Sequence, residues 1–178
     1  VSLEDQWLKL QDKDPFDYAK VERKIPASKE LKVSFDLKAG QNNKGTLQIE
    51  FLDENGIACS RMELTDDGIF RLKGGSRFAN MMKYEAGKVY HVEAVLSTVD
   101  RNIQVYVDGK RVGLRMFYAP VAAVERIVFR TGVPRTFPTV DTPADQTYDL
   151  PNAGAQDPLA EYGIANVKTS STDKDASS

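Results

Sequence analysis

Residues 89–113, VYHVEAVLSTVDRNIQVYVDGKRVG, decide the fold. Val89, His91, Glu93 and Val95 alternate with Tyr90, Val92, Ala94 and Leu96. A period of two marks an extended strand whose two faces meet different surroundings. The run Thr98-Val99-Asp100-Arg101-Asn102 makes a turn, and Ile103, Val105 and Val107 then alternate with Gln104 and Tyr106. Asp108-Gly109 follows, a strong hairpin signal because both residues tolerate positive φ.

The same period recurs on either side. In LKVSFDLKA, Leu31, Val33, Phe35 and Leu37 alternate with Lys32, Ser34, Asp36 and Lys38. In TLQIEFLDENG, Leu47, Ile49 and Phe51 alternate with Gln48 and Glu50, and Asp53-Glu54-Asn55-Gly56 closes a tight turn. IACSRMELTDDG reads as the return strand and IFRLKGG as a further short one; RVGLRMFYA, RIVFRTG and YGIANVKTS complete the series. FANMMKYEAG predicts one short helical turn, and no long segment carries helical spacing with caps. Strands about every ten residues, with turn signals between them, predict an all-β fold: a two-sheet antiparallel β-sandwich of the jelly-roll kind.

Residues 1–14 read as a lead-in pinned to the sandwich by Trp7 and Leu10, residues 15–170 as the sandwich domain, and 171–178 as a polar tail or linker. Within the domain, residues 133–158 are rich in Pro, Asp and Thr, and a loop of that length is usually functional or disordered. A chain of 178 residues can bury a proper core. Its net charge of −2 lacks the basic surplus that nucleic acid requires, so nucleic acid is not an expected partner. No apolar run approaches the roughly 18 residues of a transmembrane segment. The sequence opens on Val1 with no signal-peptide pattern, which suggests a processed form or a piece of something longer. The single Cys59 allows no internal disulfide and reads as a small buried hydrophobe. His91 is the only histidine, which excludes a histidine-rich metal site.

If the apolar sets face the core, Gln48, Glu50, Arg61, Glu63, His91, Glu93, Gln104 and Tyr106 share the opposite faces of their strands. Should those strands be neighbours in one sheet, they form a polar, partly aromatic patch. Such a patch is a solvated face with cross-strand ion pairs, a sugar- or partner-binding face, or a proton-transfer site built on Arg61, His91 and Tyr106. Sugar rings stack on aromatic faces, which makes Trp7, Tyr84, Phe117, Tyr118, Phe137 and Tyr148 candidates, Phe137 and Tyr148 above all because they sit in the long loop. Asp12, Asp14 and Asp17 near the start, and Asp141, Asp145, Asp149 and Asp157 in the loop, are candidates for a structural calcium ion, although no EF-hand pattern is present. No other cofactor is expected.

GKVYHVEAVLSTVDRNIQVYVDGKRVG resembles the central hairpin of the concanavalin A-like, laminin-G-like jelly-roll superfamily. That hairpin runs as an aromatic-His-Val strand, a short polar turn and a strand ending Tyr-Val-Asp-Gly, and Tyr90 stands where many members carry Trp. YGIANVKTS is similar to the closing strand, with its Ile-x-x-Val, and KELKVSFDLKA resembles the second strand. The resemblance spans residues 16–170. With DPFDYAKVERKIP ahead of it, the chain looks most like modules attached to secreted glycan-degrading enzymes of gut-type Bacteroidetes. It implies a non-catalytic, extracytoplasmic bacterial module of a larger polysaccharide-degrading protein, with a polysaccharide or that protein's catalytic domain as partner. A stand-alone lyase or glycoside hydrolase acting on an acidic polysaccharide, and a protein–protein adhesion module, are the alternatives that the same fold supports.

The residues argue against the enzymes. Glycosidases of this superfamily carry Glu-x-Asp-x-x-Glu on one strand, whereas Glu50, Asp53 and Glu54 run from a strand into a turn. Alginate-lyase-like members carry Arg-x-Glu-Leu and, later, Gln-Ile-His. Arg61-Met62-Glu63-Leu64 matches the first, but Gln48-Ile49 comes earlier and is followed by Glu50, and YVDGK replaces the usual Tyr-x-Lys-x-Gly.

Overall fold

The alternation resolves into strands throughout a computed structural model that describes residues 2–4, 7–12, 20–74, 77–131 and 160–171. The strands are β1 (Ser2–Glu4), β2 (Trp7–Asp12), β3 (Lys20–Ser28), β4 (Glu30–Ala39), β5 (Leu47–Leu52), β6 (Ala58–Leu64) and β7 (Ile69–Gly74). They continue as β8 (Arg77–Lys83), β9 (Val89–Ser97), β10 (Asn102–Val107), β11 (Lys110–Met116), β12 (Val124–Thr131) and β13 (Ala160–Ser171). A seven-stranded sheet has the order β1-β2-β13-β4-β9-β10-β11, and a six-stranded sheet the order β3-β12-β5-β6-β7-β8. Both are antiparallel. The predicted β-sandwich is the observed one.

The central hairpin follows its sequence. Tyr90, Val92, Ala94 and Leu96 of β9 and Ile103, Val105 and Val107 of β10 are buried, while His91 and its alternates face outward. Asp108 (φ 51°) and Gly109 (φ 84°) make the turn into β11, the pair of positive φ values that a tight hairpin requires. Between the sheets, Phe35 of β4 and Phe129 of β12 meet edge to face, with centroids 5.3 Å apart and planes at 86°. Leu31, Val33, Leu37, Leu47, Ile49, Phe51, Met62 and Leu72 complete the layer around them.

Four features differ from the sequence reading or sharpen it. FANMMK forms β8 rather than a helical turn, because β7 offers it an antiparallel partner. β3 carries no alternation strong enough to announce it, since it is an edge strand with mostly exposed side chains. The lead-in contributes strands: β2 pairs with β13, Leu10 is fully buried, and the Trp7 ring lies beside Gly163 with the Lys38 ammonium 4.7 Å from its centroid. Finally, β5 and β6 lie in one sheet and β9 and β10 in the other, so the eight polar candidates do not share a face. Strand pairing between distant segments sets this division, and a period of two carries no information about it. The loop at 133–158 lies outside the described residues; of the tail, only Ser171 is described.

Phe129→Ala removes the ring that joins the two sheets, and we expect it to lower stability by about 3–5 kcal/mol, read as a shifted urea midpoint with an unchanged slope.

Candidate functional site

The core face of each strand fixes its outer face. In the six-stranded sheet, Ile49, Phe51, Met62, Phe70, Leu72 and Phe129 point inward. The register then lines up Arg130, Gln48, Glu63 and Arg71 as successive cross-strand neighbours on the opposite face, with Glu50 and Arg61 paired in the next row. Arg130 Nη2 donates to Glu50 Oε1 at 2.6 Å, and Arg61 Nη2 lies 3.7 Å from the same oxygen. Gln48 Nε2 donates to Glu63 Oε2, and Glu63 Oε1 pairs with Arg71. The Arg71 guanidinium stands 4.1 Å over the Phe78 ring, and the Lys73 ammonium lies 4.7 Å from the centroid of Tyr118. Tyr118 is tied down by its backbone N–H, which donates to Cys59 O at 3.1 Å.

This network is not a solvated surface. Glu50 and Arg61 are each 2% exposed, and Gln48, Glu63, Lys73 and Arg130 are buried as well. Burying charge at this density requires close pairing, because desolvation of each ion is costly. Accessibility returns at the β7–β8 end, where the Arg71 side chain is 33% exposed and Phe78 and Tyr118 are half-buried. Among the described residues, Gln48 Oε1 and Arg71 Nε are buried without a hydrogen-bond partner. Ordered water is the ordinary partner of such atoms, and Gln41 Nε2, Thr46 Oγ1 and Ser60 Oγ stand in the same position.

The other four candidates lie on the outer face of the seven-stranded sheet. His91 Nδ1 is 2.9 Å from Asp36 Oδ1, and its Nε2 is 3.5 Å from Glu93 Oε1. Asn166 Nδ2 donates to Asp36 Oδ2 at 2.7 Å, Lys32 sits 3.7 Å from Glu93, and Tyr106 donates its hydroxyl to Gln104 at 3.0 Å. The hydrogen bond to Asp36 holds the His91 pKa above its ordinary 6.5, with Glu93 adding to the effect. The Asn166 amide, and then His91, hold the Asp36 carboxyl below the usual range. With His91 47% exposed, this is an open ion-pair face.

Arg61 therefore lies on one outer face and His91 and Tyr106 on the other, with the core between them, and the three do not assemble into a proton-transfer site. Phe137, Tyr148, Asp14, Asp141 and Asp145 lie outside the described residues, and only the backbone of Asp12 is described, in β2. Among the described residues, no group of three or more His, Cys, Asp or Glu is placed to hold a metal ion. Nor is any helix among them long and apolar enough to cross a membrane. Tyr84 is a packing residue: it is buried, its hydroxyl donates to Thr65 O, and burial, with Asp66 and Asp67 nearby, pushes its pKa up to about 12. Cys59 is buried as expected, and burial pushes its thiol pKa upward. The sequence reading missed Arg71, Lys73, Arg130 and Phe78. The first two alternate with Phe70 and Leu72 in IFRLKGG, and Arg130 ends the alternation in RIVFRT, so extending the face to every strand would have found these three; Phe78 lies in β8, which the sequence does not mark as a strand.

Residues 1–146 match the family model described as "Sialidase-like, CBM domain", and the chain belongs to this family. It is similar to a solved structure titled "Sialidase", with 88% identity and a TM-score of 0.87 over 99% of this chain, and it spans only 16% of that chain's length. Two more distant structures share the fold alone. The Crh5 transglycosylase is 11% identical, with a TM-score of 0.65 over 97% of this chain and 81% of its own. The alginate lyase AlgAT5 is 12% identical, with a TM-score of 0.59 over 94% and 80%. No curated protein matches the sequence.

Glu50→Ala leaves the Arg61 and Arg130 guanidiniums without the carboxylate between them, and we expect it to destabilise the domain by about 3–5 kcal/mol in chemical unfolding. The His91–Asp36 pair carries a pH signature. A pKa raised on folding adds stability that is fully present below 6.5 and is lost as pH rises through the folded-state value. The lowered Asp36 pKa adds stability present above 3.8 and lost as pH falls through its folded-state value. Only the His91 part of the Asp36 shift is the contact already counted; the Asn166 hydrogen bond, its largest cause, is a separate one. The wild type should lose stability as pH rises from about 6.5 through the folded-state value, and His91→Gln is expected to remove that decline in the unfolding midpoint.

Proposed function

We propose that this domain is the non-catalytic carbohydrate-binding module of a larger, extracytoplasmic sialidase-type glycoside hydrolase. We further propose that it holds an acidic glycan at the open end of the polar row on the six-stranded sheet. The observation that carries the site is Arg71: a guanidinium held between Glu63 and the Phe78 ring, with a third of its side chain exposed to solvent. A planar guanidinium fixed on two sides is preorganised for a carboxylate, so little entropy is lost when the ligand arrives. Gln48 lies behind it in the same row, fully buried, and its amide holds Glu63 in place. The half-buried edges of Phe78 and Tyr118 supply apolar surface for the sugar's C–H faces. A sialidase acts on sialic acid, a sugar that carries a carboxylate, and a module of such an enzyme serves it by keeping the enzyme on sialylated material. Weak binding suffices for that role, because tethering multiplies the avidity of the whole chain.

Affinity electrophoresis in gels loaded with a sialylated mucin tests the reading. The chain should be retarded, retardation should fall on prior desialylation of the mucin, and Arg71→Ala should weaken binding by about 10–100-fold, the worth of a charge-assisted hydrogen bond. Phe78→Ala should weaken it too. Equal retardation on desialylated mucin, or full retention by Arg71→Ala, would contradict it.

A further inference from the structure

We infer that the corner of the seven-stranded sheet formed by β11 and the β9–β10 turn is a docking surface, and that its occupant is another domain of the same polypeptide presenting an apolar centre with carboxylates around it. The inference rests on the reading above only in taking this domain as one part of a longer chain.

Four large hydrophobic side chains are exposed among the described residues, and three of them sit at this corner: Val99 (70% exposed), Leu114 (49%) and Met116 (57%). Leu114 and Met116 lie opposite Gln104 and Asn102, so both project from the outer face of the sheet, while Val99 caps the adjoining turn. Their exposure does not come from a loose strand. The inward side of β11 packs firmly: Val112 lies against the core, a Cβ on Gly113 would come within 2.6 Å of Met81, and one on Gly74 would strike the stem of Arg115. β11 is also the last strand of its sheet, with β10 on one side only.

Charge selects the occupant. Arg111 faces out with Leu114 and Met116, and exposed Arg101 stands in the neighbouring turn beside exposed Asp100; Lys110 and Arg115 are exposed along the β11 edge opposite the inward-facing Val107 and Ile103, and β11 carries no acid. A second copy of this chain docked edge to edge would bring these cations together, and like charges facing one another are destabilising. A surface bearing carboxylates around an apolar patch is complementary on both counts. The 88%-identical sialidase extends far beyond the region this chain matches, so a partner surface is available in cis, where a small contact is sufficient.

Hydrogen–deuterium exchange provides the test, comparing residues 110–116 in this chain alone and the matching residues in the whole sialidase. Protection in the whole enzyme should exceed that in the single domain by at least about tenfold, the span of a modest coupling free energy. Leu114→Glu with Met116→Glu, placed at the matching positions of the whole enzyme, should abolish the excess. The same pair in this chain should leave retardation on sialylated mucin unchanged, so the outcome here is separate from that for the glycan site. Equal exchange in the two proteins overturns the inference. So does sedimentation of this chain as a dimer that the Glu substitutions dissolve, which would assign the corner to a second copy.

Discussion

Phe35 and Phe129 meet edge to face in the gap between the two sheets, and the layer they share with the other buried residues sets which way the side chains of the paired strands point. Once one residue of a strand is committed to that layer, its neighbours on either side are committed to the outside. Phe129 inward puts Val128 and Arg130 outward; Ile49 inward puts Gln48 and Glu50 outward; Met62 inward does the same for Arg61 and Glu63. The polar row is thus a consequence of the core and cannot slip without it, because a one-residue shift would drive arginines between the sheets.

What distinguishes the two outer faces is burial. On the seven-stranded sheet, His91, Asp36 and Glu93 pair in the open, where water screens them and the pairing contributes modestly. On the six-stranded sheet, Glu50 lies between two arginines at almost zero exposure, and the same chemistry becomes a large commitment of free energy. Once paired, such a cluster fixes the side chains around it, because removing any one member leaves another buried charge uncompensated. Here the group held is Arg71, at the end of the row where solvent enters. The chain belongs to a carbohydrate-binding family, and we propose that this geometry does the recognising.

Much of this was legible in the residues. The β9–β10 hairpin could be read side chain by side chain, because alternation, turn residues and length all agreed. The buried state of Cys59 and the pinning of the lead-in by Trp7 and Leu10 were legible for the same reason. Strands whose signals conflict were not. β8 carries Asn80 and two methionines in a helix-tolerant run and becomes a strand only because β7 is there to pair with it. β3, at an edge, needs no apolar face and so has no pattern to show. The candidate site was half legible. Gln48, Glu50, Arg61 and Glu63 were placed correctly on an outward face, and the residues expected beside them, His91, Glu93, Gln104 and Tyr106, went to the other sheet. Pairing between segments far apart in the chain decides such neighbours, and no local pattern encodes it.

We propose that the buried row on the six-stranded sheet ends in a binding site for an acidic sugar. The first experiment is a titration of the isotope-labelled chain with a sialylated oligosaccharide, followed by NMR of its backbone amides and its arginine Nε–H and glutamine side-chain amide signals. Saturable shifts are expected at Arg71 and, through Glu63, at Gln48, with His91 on the opposite face unmoved. Shifts centred on His91 and Tyr106, or saturable shifts equally large with the desialylated oligosaccharide, would contradict it.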